Sequence, residues 1–194
     1  MPRAMPREMP KAMPKAKAIL GVDIGIRHMS FCELSVDEEG VFGVDRWEVV
    51  DLLDGDRQSA NKIKMEVLHP KLETFLARYF PPDTSAQFDC VGIELQPFGR
   101  MTNLRMHITA NLVYAYFRSV MKSNNGKLTS VRFIAAAKKY PAKLLATCGL
   151  KPSRAYAVRK KNSVALCRHL IQGLPGRGKI DDMADSFLIA RACL

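Results

Sequence analysis

The chain has no pair of cysteines at the two-residue spacing of a zinc ribbon or a redox motif. Its five cysteines, Cys32, Cys90, Cys148, Cys167 and Cys193, are odd in number and mostly sit in apolar segments. That pattern argues against a disulfide framework and a zinc site, and reads as buried thiols in a reducing compartment. The four histidines, His28, His69, His107 and His169, share no ligand spacing, so none is given a role. No apolar run is long enough to span a bilayer, and no basic amphipathic helix is present to lie on one, so no membrane partner is expected. Acids are also scarce, 19 Asp and Glu against 30 Lys and Arg, for a net charge of +11.

Residues 1–18 repeat Met-Pro-Arg/Lys-Ala/Glu, with a proline in every unit. Recurrent proline forbids a regular helix, so this is a disordered or polyproline-like basic arm that lacks the apolar core of a secretory signal. The arm carries +4 of the net charge, which leaves +7 on residues 19–194. A basic excess spread through a folded domain points to a polyanionic partner, of which nucleic acid is the commonest. At 47% hydrophobic residues, the remaining length suits one domain with one substantial core.

In a chain short of acids, the places where acids interrupt apolar runs carry information. Ala18–Asp23 is an apolar run that ends in an acid, and Phe88–Glu94 is another. Both read as buried strands that deliver a carboxylate at the C-terminal end. Ile180–Cys193 reads as a helix starting near Asp181, with an apolar stripe of Met183, Phe187, Ala190 and Leu194. It places Asp182 and Asp185 at i and i+3 on one face, about 4.5 Å apart along the axis. Asp181 and Asp185 also share a face at i and i+4, and acids in a first turn suit the helix dipole, so geometry alone leaves Asp181 and Asp182 both open. Carboxylates held together beside a low-dielectric core either protonate or bind a cation.

The remaining elements follow from periodicity and turn signals. Strands are expected over 29–36 and 41–50, and helical spacing runs over 58–80 with Pro70 as a kink or split. A long helix over 101–121 carries a stripe of Leu104, Ile108, Leu112, Tyr116 and Val120. A strand over 129–134 and a helix over about 158–170 complete the order β-β-β-α-β-α-β-α-α. This describes an α/β fold, a mixed five-stranded sheet flanked by helices. The ribonuclease-H-like arrangement has this order, with its first and fourth strands side by side. Asp23, Glu94, Asp182 and Asp185 then meet in one cleft. Four carboxylates suit two magnesium or manganese ions that cut a phosphodiester with water as the nucleophile. Lys138, Lys139, Lys143, Arg159, Lys160 and Lys161 lie in a basic stretch without interleaved acids, and with Arg27 they are the expected phosphate contacts. Lys160 or Lys161 is also placed to steady charge on the reacting phosphate.

Four motifs together carry a family resemblance: Val22-Asp23-Ile24-Gly25-Ile26-Arg27, Ile93-Glu94-Leu95-Gln96-Pro97, Arg159-Lys160-Lys161-Asn162-Ser163-Val164 and Lys179-Ile180-Asp181-Asp182-Met183-Ala184-Asp185-Ser186-Phe187. In this order, over residues 19–193, the chain resembles the poxvirus-type Holliday junction resolvases, relatives of bacterial RuvC and the yeast mitochondrial resolvase. The resemblance implies a ribonuclease-H-like nuclease that nicks four-way DNA junctions in symmetric pairs, as a homodimer, with a divalent metal. It puts the four metal-holding catalytic acids at Asp23, Glu94, Asp182 and Asp185, favouring Asp182 over Asp181, and the catalytic lysine at Lys160 or Lys161. It suggests the helix over 101–121 as the dimer seam and a viral replication site, cytoplasmic or nuclear, with a mitochondrial one still open. The Met-Pro arm is foreign to the pattern, and residues 138–156 are longer than the poxvirus equivalent. Two other readings stay open: a broader flap and fork endonuclease, and a non-catalytic junction-binding protein, which the presence of all four acids opposes. Actin-like and sugar-kinase ATPases share the sheet order, but their second glycine-rich phosphate turn is missing here.

Overall fold

The computed structural model describes residues 17–56, 59–60, 62–85, 87–96, 103–123, 128–139, 152–171 and 179–194. Strands β1 (Lys17–Asp23), β2 (Met29–Val36) and β3 (Phe42–Val50) form an antiparallel meander. Strands β4 (Cys90–Glu94) and β5 (Ser130–Ile134) add to it in parallel, giving the order β3-β2-β1-β4-β5. Strand β1 begins at Lys17, one residue before the expected start. The first and fourth strands are neighbours, as expected, and the last ladder pair between them is Val22 with Ile93. Asp23 and Glu94 therefore leave adjacent strands at the same edge. The β2–β3 ladder slips between Glu33 and Leu34, so that Asp45 is passed over as an irregularity in the edge strand.

Both faces of the sheet are buried, and alternation along the strands sorts the core in two. Leu20, Val22, Met29, Phe31, Val91 and Ile93 face helices α1 (Met65–Tyr79) and α3 (Leu104–Ser123). Ile19, Cys32, Leu34, Cys90 and Ile134 face α5 (Pro152–Leu170) and α6 (Ile180–Arg191). Two four-residue helices, α2 (Pro82–Ser85) and α4 (Ala136–Lys139), complete the fold. Cys32, Cys90, Cys167 and Cys193 are buried free thiols, as expected; Cys148 and the arm up to residue 16 lie outside the described residues.

Four expectations are corrected. Helix α1 starts at Met65 rather than near residue 58, because a separate turn precedes it in which the Lys62 and Ile63 amides donate to the Ser59 carbonyl. It then runs through Pro70. Helix α5 starts at Pro152, six residues early, and proline suits a first helical position because its missing N–H has no intrahelical partner there. The buried stripe of α3 is His107, Ala110, Val113, Phe117 and Val120. Of the expected stripe only Val120 is buried; Ile108, Leu112 and Tyr116 are half-buried and Leu104 is 67% exposed.

The fourth correction concerns α6, which has no single apolar stripe. Every residue from Met183 to Ala190 is buried, while Leu194 lies beyond the helix and is exposed. Helix α6 is enclosed between the sheet and α5, and an all-round buried helix needs no amphipathic period. It presses on the sheet where β1 carries Gly21. A Cβ there would fall against the Ser186 carbonyl oxygen and 2.5 Å from the Ala190 amide nitrogen. Gly21 thus permits a close approach that sets the height of α6 above β1.

Candidate active site

The carboxylates gather where the C-terminal ends of β1 and β4 meet the first turns of α6. Asp23 and Glu94 come from the strands, Asp182 and Asp185 from the helix, and all four line one open cleft of about 680 Å³. Side chains of the meander fix the first turn of α6. The buried Ser30 hydroxyl of β2 donates to the Asp182 carbonyl at 2.7 Å. From β3, the indole N–H of Trp47 donates to the Met183 carbonyl at 2.7 Å and reaches the Ser186 hydroxyl at 3.1 Å. The acidic helix is therefore tied to the same sheet that presents the other two acids.

Two lysines stand among these acids. Lys160 of α5 sends its ammonium to Asp182 Oδ1 at 2.9 Å and Asp185 Oδ2 at 2.7 Å, with Asp181 Oδ2 at 3.6 Å. Lys139, the last residue of α4, bonds Glu94 Oε1 at 2.5 Å and lies 4.0 Å from Asp185 Oδ2. At 3% exposure Lys139 is buried, so the sequence expectation of a solvent-facing phosphate contact is corrected to a counter-charge inside the acid cluster. The register explains how it arrives there. Glu94 pairs with Ile134 across the parallel β4–β5 ladder, so the turn that follows β5 opens at the edge where Glu94 emerges. Gln96, also buried, takes the other Glu94 oxygen at 3.1 Å.

Electrostatics separate the acids. Burial, then the neighbouring charge of Glu94, push the Asp23 carboxyl well above the usual range, although Lys139 pulls the other way. Burial also opposes ionisation of Glu94, but Lys139 and hydrogen bonds from Asp23, Lys139 and Gln96 outweigh it and hold Glu94 low. Of this pair, Asp23 is therefore the harder to ionise and Glu94 the easier. Burial disfavours the Lys160 cation, yet Asp185 and Asp182 more than compensate, and its pKa is raised.

The other expected contacts fall around this cluster. Arg159 lines the cleft, and Lys138 and Lys161 are exposed. Arg27 also lines the cleft, with its guanidinium on Asp51 Oδ2 at 2.9 Å and on the Asp56 carbonyl. Lys143 lies outside the described residues. Asp181 is half-buried at the rim. Of the two candidate lysines, Lys160 is the one that the fold brings onto the acids. Sequence reasoning missed Gln96 as a partner of Glu94 and Tyr156 as a wall of the cleft; the only available signal was their spacing, two residues from Glu94 and one helical turn from Lys160.

The donor set is hard, carboxylate oxygen throughout, with His28 the cleft's one imidazole among the described residues. Such a set fits magnesium or manganese better than a softer ion. Among the described residues no three carboxylate, imidazole or thiol groups close on one point as a finished metal site. Instead, the ammoniums of Lys139 and Lys160 supply the positive charge that the acids require. The residues fit a divalent cation that takes over part of that role.

No protein-family model matches the chain, and no curated protein matches it in sequence. Its fold is similar to that of solved resolvases. The yeast mitochondrial Holliday junction resolvase Ydc2 superposes with a TM-score of 0.56 at 18% identity, over 94% of this chain and 81% of that one. T. thermophilus RuvC, solved with a Holliday junction substrate, gives 0.52 at 17% identity over 90% and 91%. Fowlpox virus resolvase, solved with Holliday junction DNA, gives 0.49 at 19% identity over 91% and 95%. The mixed five-stranded sheet flanked by helices, expected from the order of elements, is the fold that this chain shares with Ydc2 and RuvC.

Proposed function

We propose that the chain is a Holliday junction resolvase, a structure-selective endonuclease that makes paired nicks in four-way DNA by metal-assisted phosphodiester hydrolysis. One observation carries the proposal. Four carboxylates from β1, β4 and α6 converge with the buried ammonium of Lys139 and the half-buried one of Lys160 in an open cleft. The fold around that cleft is shared with Ydc2, a Holliday junction resolvase of yeast mitochondria, and with RuvC, solved with a Holliday junction substrate. The basic balance of the chain supplies the long-range attraction for DNA.

Asp23, Glu94, Asp182 and Asp185 would hold magnesium or manganese, and four acids are enough for two ions. When bound, these ions supply an activated water and shield the leaving 3′ oxygen. The chain's own groups do the rest. Lys139 and Gln96 fix the two oxygens of Glu94, and Ser30 and Trp47 fix the turn that bears Asp182. Lys160 stays cationic at any physiological pH and is placed to donate to a non-bridging oxygen as charge builds on the phosphorus. Arg159, Lys138 and Lys161 meet the backbone on either side. The enzyme acts as a homodimer, which provides the two opposed sites that symmetric nicking requires, with α3 as the seam.

The test is cleavage of a labelled four-way junction beside a linear duplex, a flap and a fork, in magnesium, in manganese and in chelator. Paired symmetric nicks on the junction, abolished by chelator, are the expected result. Equal cutting of flaps and forks would widen the reading to a general branch nuclease, and no cutting under either metal would overturn it.

A further inference from the structure

Cys90 and Cys193 meet where the sheet faces the end of α6. Cys90 opens β4, the strand that ends in Glu94, and Cys193 lies just past the last residue of α6, the helix that bears Asp182 and Asp185. Residues two apart on a strand share a face, so Cys90 and Gly92 both look toward α6. Gly92 leaves the space that the second thiol fills: a Cβ at this position would stand 2.5 Å from the Cys193 sulfur. That sulfur therefore lies on the strand beside Cys90, and a hydrogen bond joins the two thiols.

The surroundings of Cys90 differ from those of the other described thiols. The Ser130 hydroxyl of β5 donates to its sulfur at 3.1 Å, and Arg132 donates to the Ser130 oxygen at 3.1 Å. The hydrogen bond from Cys193 above all, then the one from Ser130 and the charge of Arg132, outweighs burial and pulls the Cys90 thiol down to about 6. The nucleophilic thiolate is thus the main form of Cys90 at neutral pH. Cys193 is pushed up by its hydrogen bond to Cys90, by burial and by the Cys90 charge. Cys32 and Cys167 are also near each other, but both are sealed at 0% exposure and burial pushes both thiols up. Cys90 and Cys193 keep 6% and 7% of their surface open, beside the exposed Arg132. Such an opening admits a small oxidant and no macromolecule.

We infer that Cys90 and Cys193 form a redox-modification site, in which a hydroperoxide oxidises Cys90 and Cys193 closes the product into a disulfide that ties β4 to the end of α6. In the first step the Cys90 sulfur attacks a peroxide oxygen. An S–O bond forms, the O–O bond breaks, and the departing hydroxide takes up the proton that Cys90 released. Cys90 is then an uncharged sulfenic acid, so the charge that held the proton on Cys193 is gone. In the second step the Cys193 sulfur attacks the Cys90 sulfur; an S–S bond forms, the S–O bond breaks, and the hydroxyl leaves with the Cys193 proton as water. Two thiols and one hydrogen peroxide give one disulfide and two waters, the sulfurs losing the two electrons that the peroxide gains. The bond closes a long loop and joins the two elements that carry Glu94, Asp182 and Asp185. It stands independently of the nuclease reading.

The test treats the reduced full chain with hydrogen peroxide, alkylates the remaining thiols and maps the peptides by mass spectrometry. Wild type should yield a Cys90–Cys193 disulfide that dithiothreitol reverses, and its urea midpoint should rise on oxidation and fall back on reduction. Cys193→Ser keeps a hydrogen-bond donor for Cys90 but cannot close the bond. In that variant dimedone should trap Cys90 as the sulfenic acid about tenfold faster than Cys32 or Cys167. Cys90→Ser should give neither product; if it folds poorly, the wild-type and Cys193→Ser maps decide without it. A wild-type disulfide through Cys32, Cys148 or Cys167 instead, a Cys90 that resists peroxide in Cys193→Ser, or a urea midpoint that oxidation lowers would each overturn the inference.

Discussion

Lys139 and Asp23 make opposite demands on the acid cluster, and that opposition can be measured in chelator. Lys139 is buried against Glu94, so Lys139→Ala leaves a partly buried carboxylate beside Asp23 and Asp185 with less counter-charge. Truncating one partner of a buried pair costs about 3–5 kcal/mol, and urea denaturation in chelator at neutral pH should show a loss of that order. Added magnesium should recover part of it. At pH values where Asp23 would ionise, Asp23→Asn should do the reverse, keeping a hydrogen-bond donor for Glu94 without the repulsion of a second carboxylate. The sign with pH follows from the raised Asp23 pKa. Between the ordinary carboxylate pKa and the raised one, the folded chain holds a proton that the unfolded chain has released. Stability in chelator therefore falls as pH rises through that window, by at most about 1.4 kcal/mol per pH unit, and Asp23→Asn should flatten the slope. Asp185→Asn should abolish cleavage while junction binding persists. Lys160→Ala should slow cleavage about a hundredfold, whereas exposed Lys161→Ala should only weaken binding a few-fold. The four acids were legible in the sequence because each interrupts or ends an apolar run. Lys139 was not, because adjacent helical residues such as Lys138 and Lys139 differ by only about 100° of rotation, and a basic run does not say which one turns inward. Arg27 gave no sign of its pairing with Asp51, a partner that only the tertiary fold brings close.

Helix α6 carries half of the acids, and its seat on the sheet is what aligns them with the other half. Gly21→Ala would drive a methyl into the backbone of α6 at Ser186 and Ala190, and neither a carbonyl oxygen nor an amide nitrogen can rotate away. The expected outcome is a loss of about 1–3 kcal/mol in urea denaturation, with cleavage reduced far more than junction binding, because the acids shift relative to Asp23 and Glu94. A variant as stable and active as wild type would show that α6 can lift without consequence. Trp47→Phe tests the same alignment from the β3 side. It keeps an aromatic ring near Phe187 but removes the N–H bonded to Met183, and about 1 kcal/mol is expected to be lost. The strands and the order of elements could be read from the sequence, since alternation and turn residues are local properties. The phase of α3 and the all-round burial of α6 could not. A helix enclosed on every side has no polar face to set its phase, and a helix with apolar residues on two flanks offers two stripes, of which packing buries one.

At the scale of the whole molecule, the proposed dimer places its second protomer on the flank of α3 that the core covers only in part. Leu104 is exposed, and Ile108 and Leu112 are half-buried, at i, i+4 and i+8 on one flank of a 20-residue helix. Packing two such flanks against each other would bury them across a two-fold axis, where each residue meets its own counterpart's surroundings. On the proposed reading such a dimer would present two clefts to opposed strands of one junction, which is what symmetric nicking requires. The pair Leu104→Glu and Leu112→Glu places four like charges at such a seam while leaving the buried face of Ala110, Val113 and Phe117 intact. Sedimentation at micromolar concentration should change from dimer to monomer with an unchanged circular dichroism spectrum. On a supercoiled cruciform plasmid, wild type should linearise the DNA within one binding event, and the doubly substituted chain should release nicked circles instead. A charged variant that stays dimeric and linearises the plasmid at the wild-type rate would place the seam away from α3. A monomer that still cuts both strands together would separate paired nicking from dimerisation.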